Sequence, residues 1–172
     1  MTIVGDSTVF ATRYALDADH GGSSLFGKLC FVLNEVDVGD YELGTSLRTM
    51  AMLLVPIVKD AGNRRDDWLY GLSAQELFDT LHGALFGEDS RYDERATDEC
   101  WARFDILPQI DVFDAWQAFL VEGDDSARLV YKAPSDPGTV QESRFAPVVF
   151  DTVVRATFEA LDSLVDEDVA DA

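Results

Sequence analysis

The sequence predicts an α+β fold, a mostly antiparallel sheet built from hairpins with about three helices packed on it. Three observations lead there. Apolar runs with a two-residue alternation are joined by short turn signals, which is how antiparallel hairpins read. Other stretches repeat their apolar residues at helical spacing. The order of strands and helices lacks the regular alternation of a doubly wound parallel sheet. The 172 residues suit one domain spanning 1–172, and 47% hydrophobic with 11% aromatic residues are enough to build its core.

The first hairpin pairs STVFATRYAL (7–16) with SLFGKLCFVL (24–33) across the turn-forming DADHGG, which carries His20. In the first strand Phe10, Tyr14 and Leu16 share the face expected to meet the core. NEVDVGDYELG (34–44), with four acids and no base, reads as a polar connection. A helix follows over 45–62, where Leu47, Met50, Leu54, Ile57 and Val58 recur at helical spacing behind Thr45 or Ser46 as cap. Pro56 removes a backbone donor, so a kink or early stop is expected there.

A second helix is announced by LSAQEL: Ser73 with Glu76 forms a capping box, and Leu72 with Leu77 a hydrophobic staple. Leu77, Phe78, Leu81, Ala84 and Leu85 make its apolar stripe, His82 lies one step off it, and Gly87 is placed to end it in the left-handed conformation. EDSRYDERATDE (88–99) reads as a solvated loop, and WARFDIL (101–107) as a strand with one apolar face. PQIDVFDAW then makes a turn or short helix, and QAFLV (117–121) with ARLVYKA (127–133) brackets EGDDS as a hairpin. APSDPGTVQES (133–143) reads as a Pro/Gly/Ser loop, and the last helix carries Phe150, Val153, Val154, Phe158, Leu161, Leu164 and Val165 on one face. Asp151, Arg155 and Glu159, spaced by four, suit exposed ion pairs on its other side, and the acidic tail 166–172 is expected to fray.

Charge narrows the function classes. Thirteen basic against 33 acidic residues give a formal net charge of −20, a field that disfavours nucleic acid and anionic membrane and attracts a basic protein. The same acidity also serves solubility. The amino terminus lacks a signal-peptide pattern, and the longest apolar run, MAMLLVPIV (50–58), is too short to span a bilayer, so the cytoplasm is the expected address. Cys30 and Cys100 stand in no metal-binding spacing and are expected to be free thiols.

Searching for chemistry yields little. His20 and His82 belong to no nucleophile motif, and no phosphate-cradling glycine loop, zinc cluster or calcium loop is present in the sequence. No cofactor and no metal are expected. With 33 acids some pair of carboxylates will always imitate a catalytic dyad, so such a pair carries no information.

What the sequence does carry is a distribution. Between Arg103 and Arg128 there is no basic residue, while Asp105, Asp111, Asp114, Glu122, Asp124 and Asp125 are interleaved with Phe104, Phe113, Trp116 and Phe119. Aromatic anchors ringed by carboxylates suit an interface with a basic protein, because apolar burial slows dissociation while charge speeds encounter. Phe104 and Phe119 read as inward-facing core, whereas Trp116 and the EGDD turn fit either the core or the interface. The partner-binding candidates are Asp37, Asp40, Glu42, Asp111, Asp114, Trp116, Glu122, Asp124 and Asp125.

The chain as a whole resembles immunity protein family 42, from the antidote side of bacterial polymorphic toxin systems. The stretches that carry the likeness are IVGDSTVFA (3–11), LFGKLCFVLN (25–34), FDI (104–106), VFDAWQAFLVEGDDSARLVYK (112–132) and FDTVVRATFEAL (150–161). The resemblance implies a cytoplasmic bacterial protein that neutralises a cognate toxin domain by binding it, with no cofactor. The charge suggests a basic toxin such as a nuclease, since nucleases must bind phosphates. Two other readings compete: an acidic DNA mimic that inhibits a DNA-binding protein, and a carboxylate-dependent enzyme, which would show a protonation between about pH 5 and 8 tied to activity.

Overall fold

The computed structural model describes residues 1–20, 24–87 and 91–170, with the backbone alone for 167–170. Among the described residues eight strands lie in two antiparallel sheets accompanied by five helices, as an α+β chain requires. Contacts gather the chain into two compact units, the first made of Met1–Ala61, Pro108–Ala115 and Val148–Ala172, the second of Gly62–Leu107 and Trp116–Pro147. No described helix is long and apolar enough to cross a membrane.

In the first unit β1 (Thr2–Asp6), β2 (Phe10–Leu16), β3 (Phe26–Leu33) and β4 (Val36–Val38) pair in order, and β5 (Thr45–Ser46) pairs with the start of β3. The expected hairpin is β2 and β3, in register from Phe10 opposite Leu33 to Leu16 opposite Gly27. Of its connection DADHGG, Gly21 and Gly22 lie outside the described residues. Alternation then sorts the two faces. Phe10, Tyr14, Leu29, Phe31 and Leu33 are buried on the inner face, where α1 (Leu47–Lys59) and α5 (Val148–Ala170) pack; Leu16 ends the strand exposed. Phe10, Phe31 and Phe150 form an aromatic cluster there, with ring centroids 5.0 to 6.4 Å apart.

Ser46 is the cap of α1, its hydroxyl accepting from the Thr49 amide at 3.2 Å. Pro56 does not stop the helix, which ends at Lys59, although its ring removes the amide that would donate to the Met52 carbonyl. In α5 the buried residues are Phe150, Val153, Val154, Thr157 and Leu161, while Phe158, Leu164 and Val165 are half-buried. The helix continues to Ala170, so of the acidic tail only Asp171 and Ala172 lie outside the described residues.

The connection 34–44 contains structure where a polar linker is expected. Asn34 and Glu35 both take positive φ, 50° and 66°, which turns β3 into β4 with Leu33 opposite Val36. Beyond β4 the loop folds back over the outer face of the sheet, where Tyr41 packs on Ala11, Cys30 and Val32. Burial, with the charge of Asp37 added, pushes the Cys30 thiol up to about 12, so it stays protonated as a packing group.

In the second unit β6 (Gln117–Glu122), β7 (Ala127–Ala133) and β8 (Asp136–Phe145) form a meander. The 133–143 loop expected from its Pro and Gly is therefore mostly strand; β8 is an edge strand, where Pro137 sits near its start and removes no ladder bond that the sheet needs. Phe119 opposite Val130 and Val121 opposite Arg128 present one face to α3 (Ala74–Phe86). The capping box of α3 is present, Ser73 and Glu76 bonding reciprocally. Leu72 and Leu77 both pack in this unit's core, as a staple would have them. Gly87 departs from expectation: its φ of −89° and ψ of 177° are extended, not left-handed.

Two further corrections concern short helices. The supposed solvated loop holds α4 (Asp93–Asp98), while Glu88, Asp89 and Ser90 lie outside the described residues. WARFDIL is not a strand but a 3-10 turn over Trp101–Phe104 that leads into a single bridge between Asp105 and Phe119. Three residues per turn place Trp101 and Phe104 on the same side, and both are fully buried with Leu77, Phe78 and Leu81. Before α3 lies α2 (Asp67–Tyr70), capped by Asp66, whose carboxylate accepts the Leu69 amide at 2.8 Å.

Candidate functional site

Of the nine partner-binding candidates the structure gives each a distinct situation. Asp37 on β4 is half-buried and ion-paired with Arg13, whose guanidinium also lies 4.1 Å from the centroid of the Tyr41 ring. Glu42 pairs with Lys28, and that hydrogen bond raises the lysine above its ordinary value. Asp124 pairs with Arg65 at 2.5 Å. These three carboxylates already have a cation within the chain. Asp40 is committed differently: its carboxylate accepts the amides of Glu42 at 3.1 Å and Leu43 at 3.2 Å, closing a turn.

Glu122 is 7% exposed, so its side chain is not part of an acidic surface. Its amide donates to the Arg64 carbonyl at 2.8 Å, and Arg64 is likewise buried. Asp111, Asp114 and Asp125 are exposed, and Trp116 is half-buried, stacked on Tyr131 with centroids 6.4 Å apart. The aromatic anchors fare worse. Phe104, Phe113 and Phe119 are core residues at 2% exposure or less, because alternation in β6 and the 3-10 turns direct them inward. Only Trp116 keeps a surface share.

In the first unit the fold brings together carboxylates that the sequence keeps far apart. The 3-10 turn Asp111–Phe113 docks beside β4: the Asp40 amide donates to Val112 O at 2.7 Å, and Phe113 rests on Phe31, centroids 5.1 Å apart. Gly39 makes this possible, since its φ is 110° and a Cβ there would stand 2.8 Å from the Phe113 ring. Next to this junction is an open groove of about 550 Å³ lined by Asp17, Phe26, Leu43, Thr49, Ile110 and Asp111 together with residues 44–46. Phe26 and Leu43 are 49% and 55% exposed on its wall.

Asp17, Phe26, Leu43, Thr49 and Ile110 are groove residues that the sequence reading does not single out. One signal for them exists: Leu43 is a lone large apolar residue in an otherwise polar turn, with no periodic partner to bury it.

In the second unit a partly buried carboxylate has its proton affinity raised. Burial raises Asp105 to about 6, although the Leu107 amide, donating at 3.3 Å, works the other way. Raised means that the folded chain holds this proton better than the unfolded one. Stability therefore falls as pH rises from about 4 to about 6, and the cost is fully present above that window. Asp105→Asn keeps the acceptor and removes the charge, so it is expected to stabilise by on the order of 2 kcal/mol near pH 7.5 and by nothing near pH 4. Urea unfolding at the two pH values checks this; equal stability of variant and parent at pH 7.5 would contradict it.

Among the described residues no group of three or more His, Cys, Asp or Glu is arranged to hold a metal ion. His82 is engaged with Gln117 at 2.9 Å and stacks on Phe78, centroids 5.7 Å apart.

Comparison with known proteins adds what the geometry alone does not. A family model described as immunity protein 42 matches residues 1–159, which takes in segments of both units. Among solved structures, the crystal structure of CdiI from Burkholderia dolosa AUO158 is similar in fold, with a TM-score of 0.69 and 18% identity over 92% of this chain and 99% of that one. No curated protein matches the chain.

Proposed function

Since the chain belongs to the immunity protein 42 family, we propose that it neutralises a cognate bacterial toxin domain by binding and occluding it, in the cytoplasm and without catalysis of its own. The family match over residues 1–159 is the observation that carries this reading. Charge supports the chemistry of the partner: at −20 the chain draws a basic surface towards it, as a nuclease domain would present. The exposed carboxylates Asp40, Asp111, Asp114 and Asp125 suit long-range attraction of a basic partner, whereas Asp37, Glu42 and Asp124 already hold cations of this chain.

The test is reconstitution. The toxin domain encoded beside this protein's gene is titrated into it by calorimetry, and the toxin's own activity is followed in parallel. Tight binding with loss of activity is the expected result; a toxin left fully active in the presence of saturating protein would sink the reading.

A further inference from the structure

We propose that the groove bounded by the start of β3, the 43–46 segment, the first turn of α1 and the 110–111 turn is where the toxin docks. Its occupant is a toxin segment that sends a lysine or arginine towards Asp17 and Asp111 and lays a neighbouring apolar side chain on Phe26 and Leu43. This rests on the antidote reading above and adds the surface to it.

Charge complementarity selects the occupant. Both ionisable residues in the groove lining are acidic, Asp17 and Asp111, and the adjoining Asp40 adds a third carboxylate through the turn that fixes Leu43. Lys28, close enough to attract Asp17, is ion-paired with Glu42. The amino end of α1 opens on the same groove and by itself would favour an anion. Two of its amides are occupied, however: Leu47 donates to Leu25 O at 3.0 Å and Thr49 to the Ser46 hydroxyl at 3.2 Å.

Apolar exposure selects the place. Phe26 and Leu43 expose about half their surface each on one wall, flanked by the carboxylates, which is the arrangement of an anchor pocket with a charged rim. A hollow in the second unit, about 380 Å³ around Trp68, Asp79, Gly83 and Tyr92, contains Arg91 as well as Glu76 and Asp79, so it lacks a single sign. At about 550 Å³ the groove accommodates a few side chains rather than a whole helix.

The experiment measures the affinity of the full chain and three variants for the toxin domain encoded by the neighbouring gene. Asp111→Lys and Leu43→Ser are each expected to weaken binding at least about tenfold. Asp79→Lys, an identical charge change on the second unit, is expected to stay within about twofold. All three positions line solvent-open hollows, and thermal melts of the free proteins establish that the variants fold. Amide exchange provides a second reading, with slower exchange expected over 43–46 and 110–112 in the complex. Groove variants that bind like the parent, or an Asp79→Lys loss as large as theirs, would overturn the groove while leaving the antidote reading intact. Absence of any binding by the parent chain would remove both.

Discussion

Replacing Arg128 with methionine is expected to lower stability by about 3 to 5 kcal/mol, since a buried guanidinium is lost while the backbone carbonyls and the carboxylate that it satisfied stay behind. Arg128 is 3% exposed. Its guanidinium donates to Glu142 at 2.7 Å, to Leu72 O at 2.7 Å and to Tyr70 O, so one side chain satisfies the carbonyls between α2 and α3 and ties them to the edge strand β8. Methionine keeps much of the aliphatic volume, so the loss measures hydrogen bonds and charge rather than a cavity. Lysine should rescue little, because it cannot present a planar fork to three acceptors. Burial alone would raise Glu142, but the hydrogen bond and charge of Arg128, helped by Arg144, outweigh it and hold the carboxyl below its ordinary value. The pair's contribution is therefore present at neutral pH and lost as pH falls through the glutamate range, and the deficit of Arg128→Met should shrink in acid. Urea titrations at pH 7 and pH 4 measure both effects; a variant within about 1 kcal/mol of the parent at pH 7 would be inconsistent with a buried, three-way contact.

Phe113→Ala is expected to cost about 3 to 4 kcal/mol and to weaken toxin binding as well. The ring is 2% exposed, packs against Phe31 and lies directly over the Gly39 backbone. Removing it empties the contact that seats the Asp111–Phe113 turn, so Asp111 loses its place on the groove wall. Phe113→Leu should keep stability within about 1.5 kcal/mol of the parent, since it retains most of the packing volume. A Phe113→Ala variant as stable as the parent would mean that the turn is held by its backbone bond alone.

Much of the fold is legible because its signals are local. The Ser73–Glu76 capping box, the Ser46 cap and the β6–β7 hairpin all rest on neighbours in sequence, and all appear as expected. Elements that depend on distant partners are not legible. β8 reads as loop because Pro137 and Gly138 disfavour strand, yet β7 beside it supplies the ladder that holds it extended. Trp101–Phe104 alternates like a strand, but a 3-10 turn buries the same aromatics at a spacing of three. The tight turn at 34–35 is hidden because Glu35, at φ 66°, is not a residue that advertises a left-handed conformation.

The site divides along the same line. That acids cluster in 35–42 and 105–125 is visible in the sequence; which of them already hold a cation is not, since Arg13 with Asp37, Lys28 with Glu42 and Arg65 with Asp124 are pairings across strands and loops. Phe113 looks like an interface anchor from its acidic surroundings and is core for a reason no local pattern reveals, the open space above Gly39.

The proposed neutralisation is stoichiometric capture. It is tested most directly by titrating a fixed amount of active toxin domain with this protein and reading residual toxin activity at each ratio. Capture predicts a linear decline that ends at a fixed molar ratio and does not change with incubation time. Inactivation that proceeds to completion at a small fraction of that ratio, and deepens with time, would mean that the protein turns over and would contradict the account.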